Sequence, residues 1–421
     1  MKMFSKNLNF FSKIKKTIFP FYKNKELKEV FKILESNQEN TNDKARYVGG
    51  CVRKFLKKED IDDIDIATVF TPEEIKAKFN RTDIRVIETG IEHGSVTLLT
   101  KNFKLELTTL RKDLKTDGRH AEVKFTDDWK EDSNRRDFTI NSIYLDKNGK
   151  IFDPQFGIKD LNNKIVRFIG NPLNRIEEDY LRIIRFIRFA IQYESEVDKQ
   201  TVEAIKLKLN GIKFISKERI LAELLKIIRL NNFAKILKNE DIKNIFMLVF
   251  PEFRYLSRLE KYKFNDKIFQ IDEHLILGIL LLDETNNYEY FCHKFKVSNA
   301  IKNNLDFLSK GLSGIKNNKE FLGKNIKENF YYLGKNELKK IIILNFFIKE
   351  KNSLEECLKK LQTIDNMPTP HFAINGKYLK NRGLTEGKMI GKALKELESI
   401  WIQNNFKISG KDIEIIIEKF K

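Results

Sequence analysis

Apolar residues change their spacing several times along this chain, and each change marks an element. From 25 to 36 they fall three and four apart, the spacing of one helix face. A polar connector covers 38 to 44, and the period then shortens to two. Asp63, Ile64, Asp65 and Ile66 alternate strictly, so both carboxylates leave one face of a strand while the isoleucines anchor the other. Thr71-Pro72-Glu73-Glu74 reads as a helix start, with Thr71 as cap and Pro72 at the first helical position. Residues 84–88 and 95–100 are strand-like, with the turn-forming IEHG between them. FKLELTTLR, 103–111, alternates again and sets Glu106 between Leu105 and Leu107. The charged, nearly coreless stretch 112–122 reads as a solvated loop, and 142–145 returns to strand.

Past residue 170 the helical period takes over. DPQFGIKDLNNKIVRFIG, 153–170, has turn signals at Asp153-Pro154 and Gly157 before a β-rich IVRFIG, which suggests a hinge out of the sheet with Gly157 and Asp160 structural. RIEEDYLRIIRFIRFA, 175–190, predicts one helix. Leu181, Ile184, Phe186, Ile187 and Phe189 supply its apolar surface, and Arg182, Arg185 and Arg188 a cationic stripe. Asp179 and Arg182 lie three apart and are expected to be neighbours on that helix, either as a plain intrahelical pair or as a pair of hydrogen-bonding edges for a base. SKERILAELLKIIRL, 216–230, predicts an amphipathic helix capped by Ser216. Beyond 235 helical stripes alternate with Lys- and Asn-rich connectors, and 368–406 carries Gly376, Gly383, Gly387 and Gly391 before a helix with Leu394, Leu397 and Trp401. A Gly-rich turn opening a helix suits backbone phosphate or tight packing alike. The expected fold class is α+β, a small mixed or antiparallel sheet with helices followed by an all-α remainder.

Composition narrows the function. The chain has 421 residues, long enough for two to four domains with substantial cores. No apolar run approaches the roughly 20 residues of a membrane span, so a soluble protein is expected. Lys plus Arg is 79 against 60 Asp plus Glu, a net +19 that fits a polyanionic partner without choosing among RNA, DNA and acidic lipid. Cys51, Cys292 and Cys357 are too few and scattered for a disulfide framework or a CxxC zinc site, consistent with a reducing, cytoplasmic setting. None of the five histidines precedes an Asp, so an HD-type phosphohydrolase centre has no local signature. Residues 1–24 form a basic, partly amphipathic leader without Asp or Glu.

The candidate chemistry sits in RYVGGCVRKFLKKEDIDDIDIAT, 46–68. Two ionised carboxylates side by side repel, and such a pair raises one pKa or binds a cation. Its oxygen-only character favours Mg²⁺ over zinc. Gly49-Gly50 lets the backbone approach a bulky anion, and Arg53 lies where the following helix begins. Taken alone, the stretch also reads as an acidic edge strand after a glycine turn. Glu106 is a candidate third acid or a solvent-facing strand residue.

GG-x-VR at 49–53, followed by D-x-D and Ala-Thr, resembles the head of polymerase-β-like nucleotidyltransferases. More narrowly it is similar to class II tRNA nucleotidyltransferases, the CCA-adding enzymes, and to bacterial poly(A) polymerases, and the later motifs keep that family's order. The resemblance implies Mg²⁺ held by Asp63 and Asp65, a helping acid at Glu106, and Gly49, Gly50 and Arg53 beside a triphosphate. RRDFTIN, 135–141, resembles the second motif, in which Arg136, Asp137 and Asn141 hold sugar and triphosphate. Arg111, Asp113 and Arg119 match a flexible loop needed for adding the terminal A. E-D-x-x-R at 178–182 implies that Asp179 and Arg182 select CTP and ATP, with Arg185 and Arg188 on the same nucleotide-binding side and Glu218 and Arg219 bracing it. The C-terminal glycines resemble the tail of some bacterial CCA-adding enzymes, which implies tRNA as partner. Lys54 departs from the pattern, which has Asp directly after the motif Arg. The implied divisions are head 25–160, neck 161–235, body 236–365 and tail 366–421. Rival readings are a poly(A) polymerase, an enzyme adding only A or only CC, and a non-catalytic RNA-binding scaffold.

Overall fold

The computed structural model describes residues 20–36, 43–116, 121–265, 269, 271–283, 285–349 and 353–421. The leader (apart from its end), most of the polar connector and Arg119 lie outside them. A helix, α1 (Lys25–Glu35), buries Leu27, Val30, Phe31 and Leu34. It is followed by β1 (Ala45–Val48), α2 (Gly50–Lys57), β2 (Ile64–Thr68), α3 (Pro72–Phe79), β3 (Arg85–Gly90), β4 (Ser95–Leu99) and β5 (Lys104–Thr109). Thr71 and Glu74 close a reciprocal capping box at the start of α3. With β8 (Tyr144–Leu145) and β9 (Ile151–Phe152) these strands form one seven-stranded sheet in the order β3-β4-β5-β2-β1-β8-β9. Only β2 and β5 pair in parallel. Full burial of Val96, Leu98, Leu105 and Leu107 on one face is what the two-residue period demands.

Three expectations need correction. The polar stretch after β5 is mostly not a loop: β6 (Arg111–Thr116) and β7 (Ala121–Phe125) pair antiparallel as a two-stranded ribbon apart from the main sheet. Backbone pairing needs no apolar side chains, so polarity hid it. IVRFIG forms no regular strand; Ile165 and Phe168 make isolated bridges to Glu196 and Phe138. The segment 175–190 is two helices, α6 (Pro172–Glu178) and α7 (Leu181–Tyr193), broken where Asp179 turns extended at φ −156°, ψ 105°. Its Oδ1 accepts from the Leu181 amide at 3.1 Å, so Asp179 helps start the second helix. At the break the ring of Tyr180 lies against the Gly211 backbone so closely that a Cβ there would meet it at 1.9 Å, and Asp179 is held by Arg219.

The hinge glycine has an equally concrete role. Gly157 opens α5 (Gly157–Asn162), and a Cβ on it would strike the Thr139 carbonyl oxygen at 2.2 Å. Asp160 on the same helix accepts from Thr139 Oγ1 at 2.7 Å. Between β7 and β8 lies α4 (Trp129–Arg135), and the chain continues through α8 (Lys199–Lys208) and α9 (Lys217–Ile228), the latter capped by Ser216.

The chain divides into two compact units, one running to Lys263 and including Tyr290–Val297, the other made of Phe264–Glu289 and Ser298–Lys421. The second unit is helical among its described residues. Its helix Glu273–Leu281 is apolar all round and buried from Leu275 onward, and Gly311 lets Ile341 of another helix approach to a distance at which a Cβ would overlap it. The glycine-rich C-terminal segment builds helices Gly376–Asn381 and Gly387–Gln403, which with Gly410–Phe420 enclose a core of Leu379, Ala393, Leu397 and Ile416. No helix among the described residues is long and apolar enough to cross a membrane.

Candidate active site

The first unit holds every candidate site residue that lies among the described residues. β2 lies between β1 and β5, and the register sets Asp65 opposite Val48 on one side and Glu106 on the other. Ile64 and Ile66 are buried, so the carboxylates of Asp65 and Glu106 share the opposite face, with Asp63 exposed one residue before the strand. Gly49, at φ 73°, turns the chain from β1 into α2; a Cβ there would sit 3.6 Å from Asp65 Oδ2. The turn therefore passes close over the carboxylate, and a left-handed φ at this point favours glycine. Behind it Cys51 is fully buried, its Sγ donating to the Val48 carbonyl at 3.3 Å, which ties α2 to the strand.

Charge at this face is under-compensated. Burial first, and then the Glu106 charge across the ladder, push the Asp65 carboxyl up to about 6, with Asp63 adding to the rise and Arg136 and Arg53 opposing it. No closed cage of three His, Cys, Asp or Glu side chains exists among the described residues; the acids form an open row. Oxygen-only donors with unmet negative charge fit a hard divalent cation, so Asp63 and Asp65, with Glu106 beside them, are the residues that would hold one.

A second set of groups is fully paired. Arg53, on α2, is buried; it donates through Nε to Tyr193 Oη at 2.9 Å and through Nη1 to Asn141 Oδ1. Asn141 Nδ2 donates to Asp137 Oδ1 at 2.7 Å, and Arg185 grips Asp137 Oδ2 through Nε at 2.7 Å and Nη2 at 2.6 Å. Glu223 on α9 then takes Arg188 Nε at 2.8 Å and lies 3.7 Å from Arg185 Nη1. One continuous polar chain thus joins the glycine-turn helix, the RRDFTIN segment, α7 and α9. Beside it the buried Asp132 accepts from Arg135 and Arg136 and from Tyr144 Oη at 2.8 Å. Burial alone would raise the Asp132 and Asp137 carboxyls, but their arginines outweigh it and hold both well below the usual carboxylate range.

Asp179 and Arg182 do not pair with each other's side chains, as one helix would have had it. Asp179 Oδ2 takes Arg219 Nη2 at 2.8 Å, whereas Arg182 Nη1 donates to Glu178 at 2.6 Å and to the Arg175 carbonyl at 2.7 Å. Arg182, Arg185 and Arg188 of the cationic stripe are each partly buried against an acid.

Comparison with known proteins now decides the family. Residues 45–167 match the Poly A polymerase head domain and residues 196–256 the probable RNA and SrmB-binding site of polymerase A. The chain is 32% identical over 387 residues to the human protein CCA tRNA nucleotidyltransferase 1, mitochondrial, covering 90% of this chain and 87% of that one. It is 31% identical over 398 residues to the CCA-adding enzyme of Staphylococcus aureus (strain bovine RF122 / ET3-1), covering 91% and 95%. The chain belongs to the class II CCA-adding enzyme and poly(A) polymerase family. The fold agrees: the Bacillus stearothermophilus CCA-adding enzyme, solved in complex with CTP, superposes with a TM-score of 0.69 at 23% identity, covering 94% of this chain and 98% of that one. The Thermotoga maritima CCA-adding enzyme, solved with tRNA, gives 0.65 at 20% identity, covering 94% and 96%.

Nucleotidyltransferases of this family generally use a divalent metal. Within that frame, Arg111 and Asp113 begin the β6–β7 ribbon, where they bond to each other at 3.3 Å and Arg111 also reaches the His93 carbonyl. Sequence reasoning missed Asp132, Tyr144, Glu178, Tyr193 and Glu223, which hold the site's arginines. Glu223 left a signal: it lies on the face of α9 that buries Ile220, Leu224 and Ile227, and an acid at a core position is buried only when paired. Asp132 and Glu178 left a local one, since each lies three and four positions from the arginines it holds. Tyr144 and Tyr193 left none, because no short-range spacing links them to Arg136 and Arg53.

Proposed function

We propose that this chain is a template-independent tRNA nucleotidyltransferase that adds CCA to tRNA 3′ ends from CTP and ATP, releasing pyrophosphate. The under-compensated acid face of Asp63, Asp65 and Glu106 beside Gly49 is the observation that carries the reading. Support comes also from relatives named for CCA addition along most of their length, and from similar folds solved with CTP, with ATP and with tRNA. Asp63 and Asp65 would hold Mg²⁺, which when bound supplies a Lewis acid for phosphoryl transfer. Gly49 and Gly50 leave room for the triphosphate over the start of α2, and Arg53 and Arg136 oppose the negative charge there. Asp137 and Asn141 keep Arg53 and Arg185 in register with the acid face. Asp179, held by Arg219, and Arg182, held by Glu178, present an acceptor and a donor to the base edge, which replaces a template strand.

The division into head, neck, body and tail belongs to the same reading, with the basic helical remainder gripping the tRNA backbone and weakening in salt. Three buried cysteines without a disulfide suit a cytoplasmic setting. Purified protein given tRNA lacking CCA and labelled CTP or ATP is expected to incorporate two C and one A. Long A tails would identify a poly(A) polymerase, one nucleotide type alone a partial enzyme, and no incorporation a scaffold.

A further inference from the structure

The segment 59–63 between α2 and β2 has no regular secondary structure, yet it delivers Asp63 to the acid face. A carboxylate at the end of an irregular segment needs an anchor to keep its place beside Asp65. The anchor is the neighbouring acid. Asp62 Oδ1 accepts from the Asp63 amide at 3.1 Å and also takes the Nζ of Lys54, eight residues earlier in sequence but adjacent in space. Lys54 sits on α2 directly after Arg53, so the ammonium links the segment to the same short helix whose other face holds Asn141 and Tyr193. Lys54 is also the position at which this sequence departs from its family's usual Asp. The partner for a cation there is supplied by this chain's own Asp62, which turns a departure into a matched pair.

We propose that Lys54 and Asp62 are positioning residues for the divalent-metal site: Lys54 fixes the Asp62 carboxylate, and Asp62 fixes the Asp63 backbone so that its side chain stays in the acid row. The inference rests on the nucleotidyltransferase reading for the use of the metal, but it concerns how the ligand is held. The pair is partly exposed, with side-chain exposures of 22% and 39%, so its contribution to global stability is small and its effect is local.

The test uses Mn²⁺ as probe, with free and bound ion counted by electron paramagnetic resonance on the full chain without nucleotide. Lys54→Met and Asp62→Ala are each expected to weaken Mn²⁺ binding about tenfold, the lower end for residues that orient a metal ligand. Lys54→Arg should restore it, Asp62→Asn should lie between because its amide oxygen still accepts from the Asp63 amide, and the double variant should be no worse than Asp62→Ala, since both act through one chain. In CMP incorporation the same variants should lower kcat and leave the KM for CTP unchanged, with melting temperature unaltered. Wild-type Mn²⁺ affinity in both Lys54→Met and Asp62→Ala would overturn the proposal. A wild-type protein that binds Mn²⁺ but incorporates no nucleotide would instead sink the nucleotidyltransferase reading, while the Mn²⁺ titration still decides the role of the pair.

Discussion

The acid face on β2 and β5 and the arginine network behind it use the same residue types in opposite ways. Asp65 lies against Glu106 with its charge inadequately met, and its carboxyl rises to about 6. Asp137 and Asp132, more deeply enclosed, are each gripped by arginines and stay ionised. Burial is common to both, so burial alone decides nothing; the partner does. One region is left with charge that a cation from outside would compensate, and the other has its charges met within the chain. On the proposed function, the first would carry the chemistry at a cost in stability, and the second would hold the geometry that the first requires.

Replacing the same kind of residue in each region separates the two roles. Asp65→Ala is expected to give the largest effect, a loss of nucleotide incorporation of about 10³-fold or more, as for removal of charge stabilisation from a reacting centre. Its melting temperature should stay level or rise, because a repelled carboxylate is gone. A fall in melting temperature would place Asp65 with the scaffold instead. Glu223→Ala should do the reverse. It leaves Arg188 without its acid and Arg185 with Asp137 alone, and urea titration should show a loss of about 3 kcal/mol, the lower range for breaking a buried ion pair.

Acid sharpens the contrast. The folded-state carboxyls of Asp132 and Asp137 lie below their unfolded value of about 3.9, so the stability they contribute is fully present above that pH and is lost as pH falls toward their folded values. Denaturant midpoints should drop from about pH 4 downward, and Asp137→Asn should flatten the drop while lowering stability at neutral pH. Asp65 works with the opposite sign: its raised carboxyl costs stability at neutral pH and relieves that cost as pH falls through about 6. The smallest effect is expected at Glu106. Glu106→Gln removes the charge across the ladder, brings the Asp65 carboxyl back down, and should slow incorporation by about tenfold, read as a drop in kcat. No change would assign Glu106 to the solvent-facing surface.

Much of the candidate site's local geometry was legible along the chain because it arises between near neighbours. The alternation of Asp63 to Ile66, the capping box at Thr71 and Glu74, and the Gly49 turn each express rules that act over two to four residues. The α+β class and the family's motif order follow from the same short-range signals. The helix break at Asp179 was hidden because the apolar period runs through it unbroken, while the contacts that accompany it, Tyr180 on Gly211 and Asp179 on Arg219, come from distant segments. The β6–β7 ribbon was hidden because its pairing uses the backbone.

The residue types and spacing by themselves determined which acids share a face, where the glycine turn lies and which arginines are available. They did so because a strand's pleat and a helix's turn are properties of adjacent residues. Which acid each arginine meets was decided only by the tertiary structure. Arg53 and Tyr193 are 140 positions apart and Arg185 and Asp137 are 48 apart, so their encounter depends on how whole elements pack. A charge's worth is set by what surrounds it once water is excluded, and that surrounding does not exist until the chain has closed around it.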